Sequence, residues 1–422
     1  MNIDILLGLQ WGDEGKGKIV DAISPGYDII ARFQGGPNAG HSLEFNGKKH
    51  VLHLIPSGIF HQKKINIIGN GVVIDPAVFK TEIDALGIPA DELAGRLIIS
   101  ARANLILPGH RILDAAYENS KGFMKIGSTL KGIGPAYTDK IARNGLRAGE
   151  ILRDDFHDLY NKHLKDHLGI LKNYDFSFDL GRYEEGWFEG IEIMKKFRIC
   201  NTEYFINEQA SEGKKILAEG AQGTMLDIDF GSYPYVTSSN TISAGACAGL
   251  GISPGNVSEV FGIFKAYCTR VGSGPFPTEL NDLTGKLLRD TGNEFGSTTG
   301  RPRRCGWLDI PALKYAIMIN GVTQLFITKS DVLSGFPVIK VCTAYISGGK
   351  ECSEIPFDDS GIEPVYTELP GWNENINDIR EFDLLPENLK NYIRFVEENT
   401  GIPVTIISVG PDREETIFRD SG

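Results

Sequence analysis

An aspartate set between glycines is the first residue able to do chemistry: Gln10-Trp11-Gly12-Asp13-Glu14-Gly15-Lys16-Gly17-Lys18 follows directly on an apolar run. Strand, glycine loop and helix in that order aim backbone N–H groups and the positive end of a helix at one point, which suits a phosphate. Gly12 to Lys18 satisfies G-x-x-x-x-G-K, but Ile19 stands where a P-loop carries the Ser or Thr that holds magnesium. The stretch therefore reads as a phosphate loop of a different kind, whose Asp13 carboxylate can touch a metal ion or take a proton. The bland alternatives are that Asp13 and Glu14 cap the following helix and that Lys16 and Lys18 are surface charges.

Three further segments have matching chemistry. Gln34-Gly35-Gly36-Pro37-Asn38-Ala39-Gly40-His41-Ser42 lets backbone cross close to a ligand with an imidazole facing it. A histidine there can donate a proton or stabilise transferring oxygens, or simply hydrogen-bond within the loop. Leu325-Phe326-Ile327 leads into Thr328-Lys329-Ser330-Asp331. An aspartate just past a buried strand can accept from guanine N1 and the 2-amino group, which adenine cannot offer, so this segment favours GTP over ATP. Its alternative is a strand-end turn with a solvated lysine. Gly296-Ser297-Thr298-Thr299-Gly300-Arg301-Pro302-Arg303-Arg304 is a short cationic loop in an acidic chain. Arginine forks match carboxylates and phosphates, so it reads as a loop that closes on a dicarboxylate or phosphate, the alternative being a surface patch. His163 and His167 lie four apart on an expected helix, but with no third ligand nearby they read as a polar helix face. Cys268 has no evident base partner and reads as structural.

Positioning these loops requires strands that end where the loops begin. Apolar runs at 3–9, 29–33, 65–68, 97–99, 216–218, 324–328 and 404–409 read as buried strands without a polar face. Amphipathic stretches at 76–86, 111–119, 151–171, 185–209, 307–319 and 386–400 read as helices between them. The alternation predicts an α/β fold: a large, mostly parallel central sheet covered by helices, P-loop-NTPase-like. Small antiparallel additions are expected at 42–59, with a tight turn at Phe45-Asn46-Gly47-Lys48, and at 340–385. No repeat or low-complexity linker divides the 422 residues, so a single domain with insertions, 1–422, is expected.

The formal charge of −12 argues against nucleic acid or an anionic membrane as partner, so anions must be held by local clusters. No apolar run is long enough to span a membrane and no secretion signal opens the chain. The six cysteines fall at no paired metal spacing, as expected of reduced thiols in the cytoplasm.

The glycine loop resembles the signature of the adenylosuccinate synthetase family. The same family is resembled at Gly132-Ile133-Gly134-Pro135-Ala136-Tyr137, Glu219-Gly220-Ala221-Gln222-Gly223, Tyr233-Pro234-Tyr235-Val236-Thr237-Ser238-Ser239-Asn240, Thr269-Arg270-Val271-Gly272-Ser273-Gly274-Pro275-Phe276-Pro277-Thr278-Glu279, the arginine loop and Ser408-Val409-Gly410-Pro411-Asp412-Arg413. Order and spacing hold from residue 8 to residue 418.

The resemblance implies a homodimeric, GTP-dependent ligase with magnesium. It would join L-aspartate to inosine monophosphate (IMP) through a 6-phosphoryl intermediate, the first committed step from IMP to AMP. It further implies Asp13 as the base at N1 of IMP, His41 and Lys16 at the transferring phosphoryl group and Gln222 as a fourth catalytic residue, with Asp13 and the Gly40 carbonyl in the magnesium shell. GTP would meet Gly12 to Lys18 (Glu14, Gly15 and Gly17 included), Gly40, His41, Ser42, Arg303, Lys329, Ser330, Asp331, Ser408, Val409 and Gly410. IMP would meet Asp13, Asn38, Ala39, Gly40, His41, Thr129, Gln222, Thr237 and Arg301, with Arg143 reaching in from the partner subunit. Aspartate would meet Ser297, Thr298, Thr299, Gly300, Arg301 and Arg303. Leu130 replaces a family glycine, Lys131 an arginine, and Pro302 an arginine of many members. Pro302 should stiffen the aspartate loop. A GTP-binding switch protein is the rival reading, but it needs a hydroxyl after the loop lysine and no arginine loop.

Overall fold

The computed structural model describes residues 2–45, 47–122, 127–296, 300–357 and 361–419. At its centre lies a ten-stranded sheet of β1 (Ile3–Gly8), β2 (Ile29–Arg32), β3 (Ile65–Ile68), β4 (Leu97–Ser100), β5 (Arg198–Cys200), β6 (Ile216–Glu219), β7 (Val257–Lys265), β8 (Gln324–Thr328), β9 (Val404–Ser408) and β10 (Thr416–Phe418). Across the sheet the order is β10-β9-β8-β7-β1-β6-β2-β3-β4-β5. Neighbours are parallel throughout, except β9 with β10.

Side chains of a strand alternate between faces, and here both faces are covered. Ile5 and Leu7 of β1 pack with Ala31, Ala218, Phe264 and Ile327. Leu6, between them, packs with Ile30, Leu217, Ile263 and Phe326, and with Ile19 and Val20 of the helix Lys16–Ile23. Two-sided burial explains why these strands read as unbroken apolar runs. Each fully buried Ile, Leu, Val or Phe among them stabilises the fold by ~1.5–3 kcal/mol.

The seven expected strands are present, each within one residue of its expected ends. Three strands of this sheet escaped the sequence pattern. β7 lies beside β1 in the middle of the sheet, but Ser258 and Glu259 shorten its apolar run at one end and Lys265 closes it at the other; Lys265 is buried there with Glu294, remote in sequence, and Thr269 as partners. β5 breaks the expected helix 185–209 into Gly181–Met194 and Thr202–Ser211. It forms because the edge of β4 offers unpaired backbone groups to Arg198–Cys200, a cause that local periodicity cannot show. β10 is a three-residue antiparallel addition at the opposite edge.

The helix Pro76–Leu86 has its expected bounds, with Asp75 accepting from the backbone N–H groups of Ala77 and Val78. The helix expected from 151 begins at Phe156, after a 3-10 turn over Ala148–Leu152. The one expected from 307 begins at Ile310, after Leu308–Asp309 pairs with Val338–Ser347. The hairpin at 42–59 is formed by His41–Phe45 and Lys48–Leu52; Asn46 of its turn lies outside the described residues. The addition at 340–385 is antiparallel, with Val338–Ser347 pairing both Lys350–Cys352 and Glu363–Pro370.

Asp309 caps the helix Ile310–Asn320 through Ala312 N–H (3.0 Å) and accepts from Tyr345 Oη (2.6 Å). Burial pushes its carboxyl up to about 6. A folded pKa above the unfolded value means that stability present at low pH is lost as pH rises toward about 6. Asp309→Asn removes the ionisation but keeps an acceptor. The variant should therefore gain on the parent as pH rises from 4 to 6, by on the order of 1–3 kcal/mol at the top of that range. Urea titrations across the range test this, and parallel stability curves for the two proteins would refute it.

Candidate active site

Ligands of open α/β sheets bind beyond the carboxyl ends of the strands, and most candidate residues collect on the loops leaving β1, β2, β6, β8 and β9, with Thr129, Arg143, Thr237 and the arginine loop on other segments. The loop after β1 is built around its own carboxylate. Glu14 is fully buried; its Oε1 accepts from Gly12 N–H (2.8 Å) and Gln10 N–H (3.2 Å), and its Oε2 from Lys16 Nζ (2.5 Å). A Cβ on Gly8 would collide with that carboxylate, so only glycine fits there. Gly12, Asp13 and Gly15 all take positive φ (86°, 61° and 88°), which costs the non-glycine Asp13 about 1–2 kcal/mol. The helix N-cap is Gly15 without a side-chain cap, so neither Asp13 nor Glu14 caps it. Lys16 and Lys18 are buried, not surface charges.

Lys18 turns toward the loop after β9. Its ammonium donates to Ser408 Oγ (2.6 Å), Gly410 O (2.6 Å) and Glu415 O (2.9 Å), and burial lowers it to about 8. Val409 N–H donates to Glu415 O (3.0 Å). The loop after β8 is joined to the same turn by Thr328 Oγ1, which donates to Glu14 O (2.7 Å). Lys329 then takes positive φ (62°) and donates from Nζ to Gly292 O (2.9 Å). Ser330 is fully buried, and burial raises the Asp331 carboxyl against the pull of Lys329 and Lys18. The loops after β1, β8 and β9 thus share one hydrogen-bonded scaffold.

His41 begins the first strand of the hairpin, against Gly17, where a Cβ would meet the His41 side chain. Its Nδ1 donates to Glu219 Oε1 (2.6 Å) at the end of β6; Ser57 Oγ (2.6 Å) and Ser57 N–H (2.8 Å) also donate to Glu219. Burial lowers the imidazole pKa although Glu219 opposes the shift; burial raises Glu219, but His41, Ser57 and Arg32 outweigh it. The pair is therefore neutral imidazole with ionised carboxylate, and His41 Nε2 is left buried without a partner among the described residues. A buried orphan nitrogen calls for a ligand group. Gln222 has positive φ (58°), donates to Asn38 Oδ1 (3.3 Å), and likewise leaves its Oε1 buried without a partner. Ala39 O contacts His53 Nδ1 (2.5 Å), and Gly40 and Ser42 flank His41, partly buried.

Asp13 is ion-paired with Arg303, Nε to Oδ2 at 2.7 Å, which brings the arginine loop to the glycine loop. Gly300 N–H donates to Gly296 O (2.8 Å), and Gly296 N–H to the carbonyl of exposed Arg301 (2.8 Å). Ser297, Thr298 and Thr299 lie outside the described residues. Thr237 is anchored by its N–H to Leu226 O (2.9 Å). Thr129 and Arg143 are both exposed, on either side of the helix Ile133–Ala142, with Arg143 at its C-cap in positive φ (66°). Leu130 also takes positive φ (56°) and is exposed.

Sequence reasoning overlooked Glu219, Ser57 and Glu294 as parts of this constellation. A carboxylate ending an otherwise apolar strand was the signal that could have found Glu219. His167 does not pair with His163; its Nε2 meets Asp139 Oδ2 (2.7 Å), which His110 Nε2 also meets (2.9 Å). These three could hold a metal ion by spacing alone. However, His110 Nδ1 accepts Leu107 N–H (2.9 Å), so Nε2 carries the proton and cannot ligate without becoming anionic. Cys268 is fully buried with its thiol pKa pushed up by burial, as a structural residue should be. Among the described residues no helix is long and apolar enough to cross a membrane.

Residues 5–417 match the sequence profile of the family described as adenylosuccinate synthetase. A relative of that name from Phocaeicola vulgatus is 59% identical over 420 residues, covering 99% of each chain. The solved structure of fully ligated adenylosuccinate synthetase from Plasmodium falciparum is 40% identical and covers all of both chains, with TM-score 0.93. The succinoaminodeoxyadenylate synthetase of cyanophage S-2L, solved with dGMP and dATP, shares the fold at 20% identity and TM-score 0.64, covering all of this chain and 96% of its own.

Proposed function

We infer the reaction from kinship: the chain belongs to the adenylosuccinate synthetase family and is a ligase of purine biosynthesis that joins L-aspartate to IMP at the expense of GTP. The products are adenylosuccinate, GDP and phosphate. What supports this placement of the chemistry is the convergence of loops from five strands on one glycine turn, with Lys18 tying it to the Ser408–Gly410 segment. A switch protein would need no cationic loop at its phosphate site, and here Arg303 lies directly on Asp13.

The C6 oxygen of IMP leaves poorly, so it is first converted into phosphate and then displaced by the amine of aspartate. Asp13 takes the N1 proton, which makes O6 a nucleophile toward the γ-phosphoryl group; proton transfer of this kind contributes about 10²–10⁴-fold. His41 is held in orientation by Glu219. An arriving polyphosphate favours the imidazolium, so His41 protonates at Nε2 and donates to the transferring group. Lys16 supports the same charge. Gln222 and Asn38 orient the purine with Thr129, Thr237 and Arg301; Arg301 and Arg303 hold the aspartate carboxylates; Lys329 and Asp331 read guanine.

Magnesium fits the donor set: a carboxylate at Asp13 and a carbonyl at Gly40 are hard oxygens, and two protein oxygens plus substrate phosphates are its usual company. When bound, it neutralises charge on the phosphoryl oxygens. The chain works in the cytoplasm as a homodimer, each subunit a single unit, with Arg143 serving the partner's IMP phosphate. Accordingly, Asp13→Ala and Arg143→Ala, each nearly inactive alone, should regain activity on mixing, because one site of a mixed dimer is intact. No recovery despite subunit exchange would place Arg143 in its own subunit's site. The decisive assay is product formation from IMP, aspartate, GTP and Mg²⁺, followed by ultraviolet absorbance, with each component omitted in turn. Turnover without IMP or without aspartate would redirect the assignment to another acceptor.

A further inference from the structure

Glu294 lies just past the helix Leu283–Thr291, is fully buried, and has no part in the roles described above. Its Oε1 accepts from Lys265 Nζ (2.8 Å) and Tyr267 Oη (2.5 Å), and its Oε2 from Arg303 Nη1 (2.5 Å); Arg303 Nε continues to Asp13 Oδ2 (2.7 Å). Lys265, Glu294, Arg303 and Asp13 thus form a row of alternating charges from the end of β7 to the glycine loop. Backbone reinforces it, since Arg303 N–H donates to Glu294 O (2.9 Å). Burial would push Glu294 up, but Lys265, Arg303 and Lys329 hold it at about 2, so it stays an anion. Lys265 and Tyr267 satisfy one oxygen of this buried carboxylate; the oxygen facing Arg303 is additional to what they need.

We propose that Glu294 is a positioning residue for the amino-acid substrate: by gripping Nη1 of Arg303 while Asp13 takes Nε, it fixes the guanidinium so that its Nη2 edge meets the carboxylate of aspartate. A guanidinium held at two nitrogens loses little further freedom when it binds an anion. An arginine held only by Asp13 would have to be ordered at each binding event. This inference rests on the reading of Arg303 as an aspartate ligand.

Glu294→Gln is a selective probe, because the amide oxygen can still accept from Lys265 and Tyr267 while the amide nitrogen faces Arg303 with a donor. In the full-length enzyme it should raise KM for aspartate about ten- to a hundred-fold, as loss of a charge-assisted hydrogen bond does, and leave KM for IMP within about two-fold of the parent. Because the effect runs through Arg303, the double variant Glu294→Gln/Arg303→Lys should be no worse for aspartate than Arg303→Lys alone. If Glu294→Gln does not fold, Glu294→Asp replaces it in the same cycle; it keeps the buried anion for Lys265 but withdraws it from Arg303 by about one C–C bond, ~1.5 Å. An unchanged KM for aspartate, KM values that rise together, or additive effects in the cycle would overturn the proposal. If Arg303→Lys itself spares KM for aspartate, the Arg303 reading fails first, a result separable from failure of Glu294 alone.

Discussion

Asp13→Asn lowers kcat by at least about two orders of magnitude while GTP still binds. The carboxylate is the only group proposed to take the N1 proton, and an amide cannot take it. Asparagine keeps an acceptor for Arg303 Nε, which Asp13 engages at 2.7 Å, so the aspartate site should survive. Asp13→Ala removes that acceptor as well. It should therefore lose turnover to a similar extent and also raise KM for aspartate, since one anchor of Arg303 is gone. Steady-state kinetics with calorimetric GTP binding separates these effects. Near-normal turnover by the Asn variant would end the proton-abstraction role, whatever the Ala variant does. Asparagine tolerates the positive φ of 61° better than alanine does, so a loss of turnover shared by both variants with intact folding is not a backbone effect.

Asp331→Asn reduces the preference for GTP over ATP, as a ratio of kcat/KM values, by about a hundred-fold or more. A site built to accept two hydrogen bonds rejects a base without those donors by large factors, and each bond to a charged acceptor contributes ~1.5–3 kcal/mol. The amide presents one donor where guanine also presents a donor, so the loss falls on GTP. Asp331 shares its surroundings with Lys18 and Lys329, whose charges oppose the rise that burial imposes on it. The amide donor can instead meet the adenine N1 acceptor, so ATP turnover should hold or rise while that of GTP falls. Unchanged discrimination would show that the base is read elsewhere on the loops after β8 and β9.

Apolar runs that are buried on both faces announce themselves, which is why the strands carrying the Asp13, His41, Lys329 and Ser408 loops were legible to within a residue. The glycines at positive φ in the turn after β1 also follow from local chemistry, because few other residue types tolerate that backbone. β7 was hidden for the opposite reason: its Lys265 is buried with Glu294 as its charge partner, and no short window around residue 265 contains that carboxylate. β5 likewise exists only because the β4 edge is there to pair it.

The sequence by itself therefore determined the strand-loop-helix units and the chemical character of each loop, since backbone sterics and side-chain type act within a few residues. Only the tertiary structure decided that Glu14 folds back onto Lys16, that Glu219 orients His41, and that Glu294 and Asp13 share Arg303 between them. His41 with Glu219, and Arg303 with Asp13, are pairings between residues far apart in the chain. Charge attracts without regard to sequence distance, and burial selects which partners are near enough to answer it.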